Sequence, residues 1–300
     1  MPRALHPCAL AVASVCACLT PAAALAETLA QTATPEGRIY QQVLTRCREQ
    51  RALILEKFPK LNRFLTGYDL RHVFSDDMQT FDLTRLLCGA EGTLAFITEA
   101  RLDITPIPKV RRLVNIKYDS FDSALRNAPF MVEAQALSVE TVDSKVLNLA
   151  REDIVWHSVR ELITDVPDKE MLGLNIVEFA GDDGALIEQQ VASLCARLDS
   201  LMVQRQGGVI GYQLCEDLDG IERIYNMRKK AVGLLGNAKG RAKPIPFVED
   251  TAVPPEHLAD YIVEFRALLD SHGLSYGMFG HVDAGVLHVR PALDMCDPQQ

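Results

Sequence analysis

After Lys109 the chain alternates between short β-rich runs and amphipathic helical stretches, and that alternation constrains the fold more than any other feature. RRLVNIKY reads as a strand, SFDSALRNAPFMVEA as a helix and ALSVETVD as a second strand. LGLNIVEFA, ALIEQQVASLCARLDSLMVQR and VIGYQLC repeat the pattern as strand, long helix and strand. GIERIYNMRKKAVGLL is helical and IPFVEDTAVP extended, and Pro254-Pro255 lead into the helix EHLADYIVEFRALLDSHG. LSYGMFGHV and GVLHVRP supply the last strands. Strand–helix–strand units with antiparallel returns predict an α+β, ferredoxin-like sheet covered by helices on one face.

The texture before Lys109 is different. From Gly37 to Leu61 the residues Ile39, Val43, Leu44, Leu53, Ile54 and Phe58 recur at three- and four-residue steps, which predicts helix. FLTGYDLRHVF is a loop punctuated by Gly67. Residues 81–104 read as a short apolar segment, a glycine-flanked turn and a β-rich run. Pro106 and Pro108 close that run, and a change of domain is expected there. Three hundred residues suffice for about two domains.

Charge and cysteine usage narrow the classes of partner. A net charge of -9 argues against binding nucleic acid or an acidic membrane surface. The eight cysteines are scattered, only Cys16 and Cys18 come close, and no C-x-x-C pair occurs. Neither a zinc ribbon nor an iron–sulfur cluster is encoded, and free thiols in a reducing compartment are expected. Residues 1–26 combine a basic start, an Ala-rich run and the small-residue stretch Ala24-Leu25-Ala26, the pattern of a secretory signal. The competing reading is a mis-started frame. There is no G-x-G-x-x-G, Walker loop, G-x-S-x-G or H-E-x-x-H.

Three features carry candidate chemistry. In Gly89-Ala90-Glu91-Gly92-Thr93-Leu94 two glycines let a backbone approach a flat or anionic ligand, although on the residues alone a plain turn between two strands is the favoured reading. In GHVDAGVLHVRP, a hairpin with Ala284-Gly285 at its tip sets His281 opposite His288. Directly opposed residues share a face with Cβ atoms about 5 Å apart, which suits two imidazoles on one cation. Two histidines at one spacing are otherwise more often structural. Arg228 has the fork geometry for a carboxylate, against which stands a solvated helix face. Lys243 and Glu249 are weaker candidates of the same kind.

The run GAEGTLAFITEARLDITP, with Thr66-Gly67-Tyr68-Asp69-Leu70 upstream, resembles the flavin-binding segment of FAD-linked oxidases of the vanillyl-alcohol oxidase/PCMH type. The resemblance implies FAD contacts at Gly89, Ala90, Glu91, Gly92 and Thr93. GHVDAGVLHVRP in turn resembles the H-x-G-D-G-N-L-H run of the D-2-hydroxy-acid dehydrogenases of that class, departing from it at Val282, Ala284 and Val286. That likeness implies a divalent metal, commonly zinc, on His281 and His288, and the match of Met227-Arg228 to the family's M-R segment implies a substrate carboxylate on Arg228. In the family a Glu and a catalytic His follow in a G-E-H-G run, which this sequence does not contain.

From about Ala24 onward the chain is similar to an interior slice of the bacterial FAD- and iron–sulfur-containing members of the group. The expected organisation is a signal-like or mis-started segment (1–26), the C-terminal part of a PCMH-type FAD-binding domain (27–108) and a cap domain (109–300). The expected function is flavin-dependent oxidation of a small D-2-hydroxy acid in the cytoplasm or at the inner membrane surface. Iron–sulfur clusters, the catalytic base and the pyrophosphate loop are expected outside this stretch, so the chain alone should bind FAD poorly. A non-redox metal-binding module and a non-catalytic fragment are the alternative readings.

Overall fold

The computed structural model describes residues 23–60, 67–102, 104–236 and 240–300. Leu61, Thr66 and the first 22 residues of the signal-like segment therefore lie outside the described residues. The chain divides into two compact units, Met1–Thr105 and Pro106–Gln300.

The first unit is helical. It contains α1 (Ala23–Ala30), α2 (Pro35–Glu49), α3 (Arg51–Lys57) and α4 (Thr84–Cys88). The single helix expected after Gly37 is broken at Gln50, whose backbone leaves the helical region with ψ at 14°. Thr34 caps α2 by accepting the Gly37 amide, and Pro35 takes the first helical position, where its missing N–H costs nothing. Ala26, Leu44, Cys47, Ile54, Val73, Phe74, Phe81 and Leu86 make the core. Ala24-Leu25-Ala26, read as a cleavage-type stretch, is part of α1, and Ala26 is buried.

The second unit is one antiparallel sheet. Its strands are β1 (Val110–Tyr118), β2 (Ser138–Asp143), β3 (Gly173–Gly181), β4 (Val209–Cys215), β5 (Lys243–Pro244), β6 (Val248–Ala252), β7 (Tyr276–His281) and β8 (Val286–Leu293). They run in the order β4-β1-β3-β2-β7-β8-β5, with β6 paired to β8. The order β4-β1-β3-β2, with α5 (Phe121–Arg126) and α6 (Ala128–Glu133) after β1 and α8 (Gly184–Gln204) after β3, is the ferredoxin-like arrangement. Strands β7, β8, β6 and β5 extend it.

The sheet is covered on both faces, not on one as the sequence suggested. On one face α5, α6, α8 and α10 (Pro255–Ser271) pack against Val114, Ile116, Val177, Met278 and Leu287. On the other, α7 (Ser144–Glu152) and α9 (Leu218–Leu235) pack against Leu113, Val142, Leu174, Ile176 and Phe279. The cause is α7, which fills the β2–β3 connection. Asp143 caps it by accepting the Val146 amide, and Val146, Leu147 and Ala150 form its buried stripe.

The β-rich run expected over 94–104 is not a strand. Its described residues lie outside regular structure, with Leu94, Phe96, Ile97, Leu102 and Ile104 exposed. A strand is stable only when its N–H and C=O groups pair with a neighbour, and among the described residues none pairs here. The five described cysteines carry no disulfide, as expected.

Candidate functional site

The corner between β7 and β8 decides how the two histidines meet. Val282–Ala284 form one 3-10 turn and Gly285 follows in the left-handed region at φ 66°, its amide donating to the Val282 carbonyl. A side chain at Gly285 would strike the Val253 carbonyl 1.6 Å away, so the corner demands glycine on two counts. The turn is thus longer than an Ala284-Gly285 hairpin, and the register shifts. His281 faces Val286 and His288 faces Phe279, rather than one another. The shift is even, so the two imidazoles still share a face. Their ring centres lie 5.5 Å apart, edge to face at 84°.

His281 meets the carboxylate of Glu140 and His288 those of Glu249 and, at 3.5 Å, Asp250; Glu140 and Glu249 each meet one arginine. Glu140 stands directly across from His281 in the β2–β7 register, and His281 Nδ1 lies 2.8 Å from its Oε1. A carboxylate only accepts, so Nδ1 bears a proton toward it, and in the neutral tautomer this leaves the lone pair on Nε2. Arg228, on α9, brings Nη2 to 2.5 Å from Glu140 Oε2. On the far side β6 carries a bulge: Val248 pairs with Val289 and Thr251 with Leu287, leaving one residue too many. Asp250 absorbs it at φ 54°, and Glu249 is turned toward β8. Glu249 Oε2 comes within 3.0 Å of His288 Nδ1, and Arg290 Nε donates to Oε1 at 2.8 Å. Both guanidiniums flank Phe279, at 5.4 Å for Arg228 and 5.2 Å for Arg290, and His288 packs on the same ring at 4.8 Å.

Several of these contacts fall outside hydrogen-bonding angles despite their short distances. Nε and Nη2 of Arg228, Oε2 of Glu140 and Nδ1 of His288 are all shut off from solvent without a hydrogen bond. Such atoms cost about 1–3 kcal/mol each unless something meets them. Burial, the largest influence, pushes the His288 pKa below its ordinary value against the pull of Glu249 and Asp250, which favours the neutral ring that can ligate a metal. His281 keeps a quarter of its side chain exposed.

A second polar knot steadies α9. One turn before Arg228, the Tyr225 hydroxyl donates to Glu178 Oε2 at 2.5 Å, and Arg111 Nε donates to Oε1 at 2.7 Å. Burial first, and the Glu178 carboxylate second, raise the Tyr225 pKa well above its ordinary value. The hydroxyl therefore stays a donor.

The flavin-type run lies in the first unit. After α4 the chain turns at Ala90-Glu91-Gly92-Thr93, with the Thr93 amide donating to the Ala90 carbonyl at 2.9 Å. Both central residues are left-handed, Glu91 at φ 47° and Gly92 at φ 75°. Tyr68 and Thr93 share a hydroxyl contact at 3.0 Å. A Cβ on Gly89 would overlap the Gly67 carbonyl at 1.8 Å, whereas at Gly92 nothing stands within 4 Å. Among the described residues the amides of Glu91 and Gly92 donate to no carbonyl. The turn thus offers bare backbone and open space to a flat ligand, which fits the flavin expectation at Gly89, Ala90, Glu91, Gly92 and Thr93.

The structure therefore brings Arg228, His281 and His288 together and gathers Gly89–Thr93 into one turn, while Lys243 pairs with Leu293 in β5. Sequence reasoning missed Glu140, Tyr225, Glu178 and Arg290, and undervalued Glu249. Glu140 left one trace: it alternates with buried Val142 on a strand, an inward position where a charge needs partners. Among the described residues no three His, Cys, Asp or Glu side chains converge as a metal site. The two imidazoles, with both Nε2 atoms outside any hydrogen bond among those residues, fit as two members of such a site.

The chain belongs to the family of FAD linked oxidases, C-terminal domain, whose model matches residues 107–300. It is 91% identical over 277 residues to the D-2-hydroxyglutarate dehydrogenase of Pantoea ananatis, covering 92% of this chain and 27% of that protein. It is 82% identical to the enzyme of the same name from Escherichia coli K12, over 276 residues, again 92% of this chain and 27% of the relative. The chain thus spans about a quarter of the length of these relatives. Among solved structures, an alkyldihydroxyacetonephosphate synthase aligns over 70% of this chain and 41% of its own, at 14% identity and a TM-score of 0.45.

Proposed function

We propose that this chain supplies the substrate side of an FAD-linked dehydrogenase that oxidises a D-2-hydroxy acid of the D-2-hydroxyglutarate class. The observation that carries the reading is the buried Arg228–Glu140 ion pair, whose guanidinium Nε makes no hydrogen bond among the described residues, gathered beside a pair of imidazoles whose Nε2 atoms make none among those residues either. A guanidinium with one open edge and two lone pairs on one face match a ligand that presents a carboxylate next to a hydroxyl.

In this reading Arg228, held by Glu140 at Nη2, turns its unpartnered Nε to the carboxylate, which fixes the acid relative to the histidines. Tyr225 and Glu178 hold the Arg228 turn of α9 in place. Phe279 walls the site with an apolar ring, which excludes water and strengthens each charge contact. His281 and His288 would hold a divalent metal, and the Gly89–Thr93 turn would lie against FAD. When bound, the metal supplies a Lewis acid that lowers the hydroxyl pKa, and the flavin supplies the hydride acceptor. The names of the relatives support the substrate class, and the family supports the flavin.

Calorimetric titration of the zinc-supplemented chain with D-2-hydroxyglutarate tests the substrate half. Arg228→Ala should weaken binding at least about tenfold, since a hydrogen bond to a charged group is worth about 1.5–3 kcal/mol. Equal affinity in wild type and variant would contradict the role given to Arg228.

A further inference from the structure

Glu140 touches both halves of the proposed site. Its Oε1 accepts from His281 Nδ1 at 2.8 Å, and its Oε2 lies 2.5 Å from Arg228 Nη2. The first contact is set by the backbone, because Glu140 and His281 are direct partners in the β2–β7 ladder. The carboxylate is held in a largely buried position, 12% exposed, where it has little freedom to turn away. Its counterpart Glu249 also bridges a histidine and an arginine, but from a bulge, and its 3.0 Å approach leaves His288 Nδ1 without a hydrogen bond. Of the two imidazoles, only His281 therefore has its orientation and tautomer fixed by a neighbour among the described residues.

We propose that Glu140 is a positioning residue of this site: it holds His281 as the Nδ1–H tautomer, presenting Nε2 to a divalent cation, and clamps Arg228 alongside. The physical basis is general. A carboxylate behind an imidazole chooses which nitrogen is free, orients the ring and raises its basicity. Here the same carboxylate also fixes the guanidinium meant for the substrate, so the cation and anion sites are tied through one side chain. The ligand part of this inference rests on the reading of His281 as a metal ligand, whereas the tautomer part does not.

The test uses the full 300-residue chain labelled with 15N-histidine. Long-range 15N–1H spectra of the metal-free protein at neutral pH report each tautomer, and the His281 signals are identified by their loss in His281→Ala. Wild-type His281 should be Nδ1–H. Glu140→Ala should shift it toward Nε2–H, and Glu140→Gln, which keeps an acceptor, should restore Nδ1–H. Cobalt(II) titration followed by visible absorption should show binding weakened about 10–100-fold in Glu140→Ala and largely recovered in Glu140→Gln.

A wild-type His281 in the Nε2–H form overturns the proposal without any variant. An unchanged tautomer and an unchanged cobalt affinity in a folded Glu140→Ala protein overturn it too. Wild-type protein that binds no cobalt, with the tautomer as expected, brings down the metal reading and the ligand part of the proposal together. Cobalt binding in wild type with no effect of Glu140→Ala brings down the positioning role alone.

Discussion

The Gly89–Thr93 turn and the His281–His288 corner both pivot on a left-handed glycine, yet they sit in opposite surroundings. At Gly285 the chain folds back against the Val253 carbonyl, beside a cluster that holds several buried polar atoms. At Gly92 nothing lies within 4 Å, and the residues that follow expose Phe96, Ile97 and Leu102. One region is finished by its own fold, apart from a few buried polar atoms without a hydrogen bond among the described residues. The other exposes backbone and apolar side chains. A site built into a sheet keeps its geometry without the ligand, whereas one presented on an open turn depends on it.

The largest expected effect falls on the finished region. Phe279→Ala removes a buried ring that touches His288 and both arginines, and should cost about 3–5 kcal/mol in urea denaturation. A loss below about 1 kcal/mol would show that the ring is not the keystone of the corner. Gly285→Ala should follow at about 3 kcal/mol, since strain and a backbone clash add.

The pH dependence sharpens the contrast. Asp143 caps α7 and accepts the Met278 amide of β7, and burial raises its pKa to about 6 from 3.8. Between those values the folded chain binds more protons than the unfolded one, so stability should fall as pH rises from about 4 through 6, by roughly 2–3 kcal/mol in all. Below the unfolded value the slope vanishes. Asp143→Asn should flatten the profile, and a wild-type profile already flat from pH 4 to 6.5 would refute the assignment.

The open region should respond far less. Gly92→Ala pays for left-handed backbone only, about 1 kcal/mol, because no atom obstructs a methyl group there. Phe96→Ser should change stability by less than about 0.5 kcal/mol, as the ring is exposed. Limited proteolysis should cut within 94–107 and leave a core beginning near Lys109. Protection of that segment in the isolated chain would erase the comparison.

These contrasts also explain what the sequence made legible. Strand and helix periodicity revealed the second unit because each element buries a face, and the ferredoxin-like order followed. The covering of the second face was not legible, since α7 is short and its stripe of Val146, Leu147 and Ala150 merges with strand β2. The histidine pair was visible by spacing, but its register was not. A Gly285 that must be left-handed admits a longer turn as readily as a tight hairpin, and Val253, from a distant loop, settles which. Glu140, Tyr225 and Glu178 were hidden because their roles arise between strands and helices far apart in sequence. The 94–104 run was misjudged for the opposite reason: its composition favours a strand, but pairing, not composition, makes one.

The most direct measurement titrates D-2-hydroxyglutarate into zinc-supplemented chain and follows the 15Nε signal of Arg228 together with the imidazole signals of His281 and His288. All three should shift with a single saturation curve while the Gly92 amide stays still. Saturation that moves none of the three, or moves the Gly89–Thr93 turn instead, would contradict it.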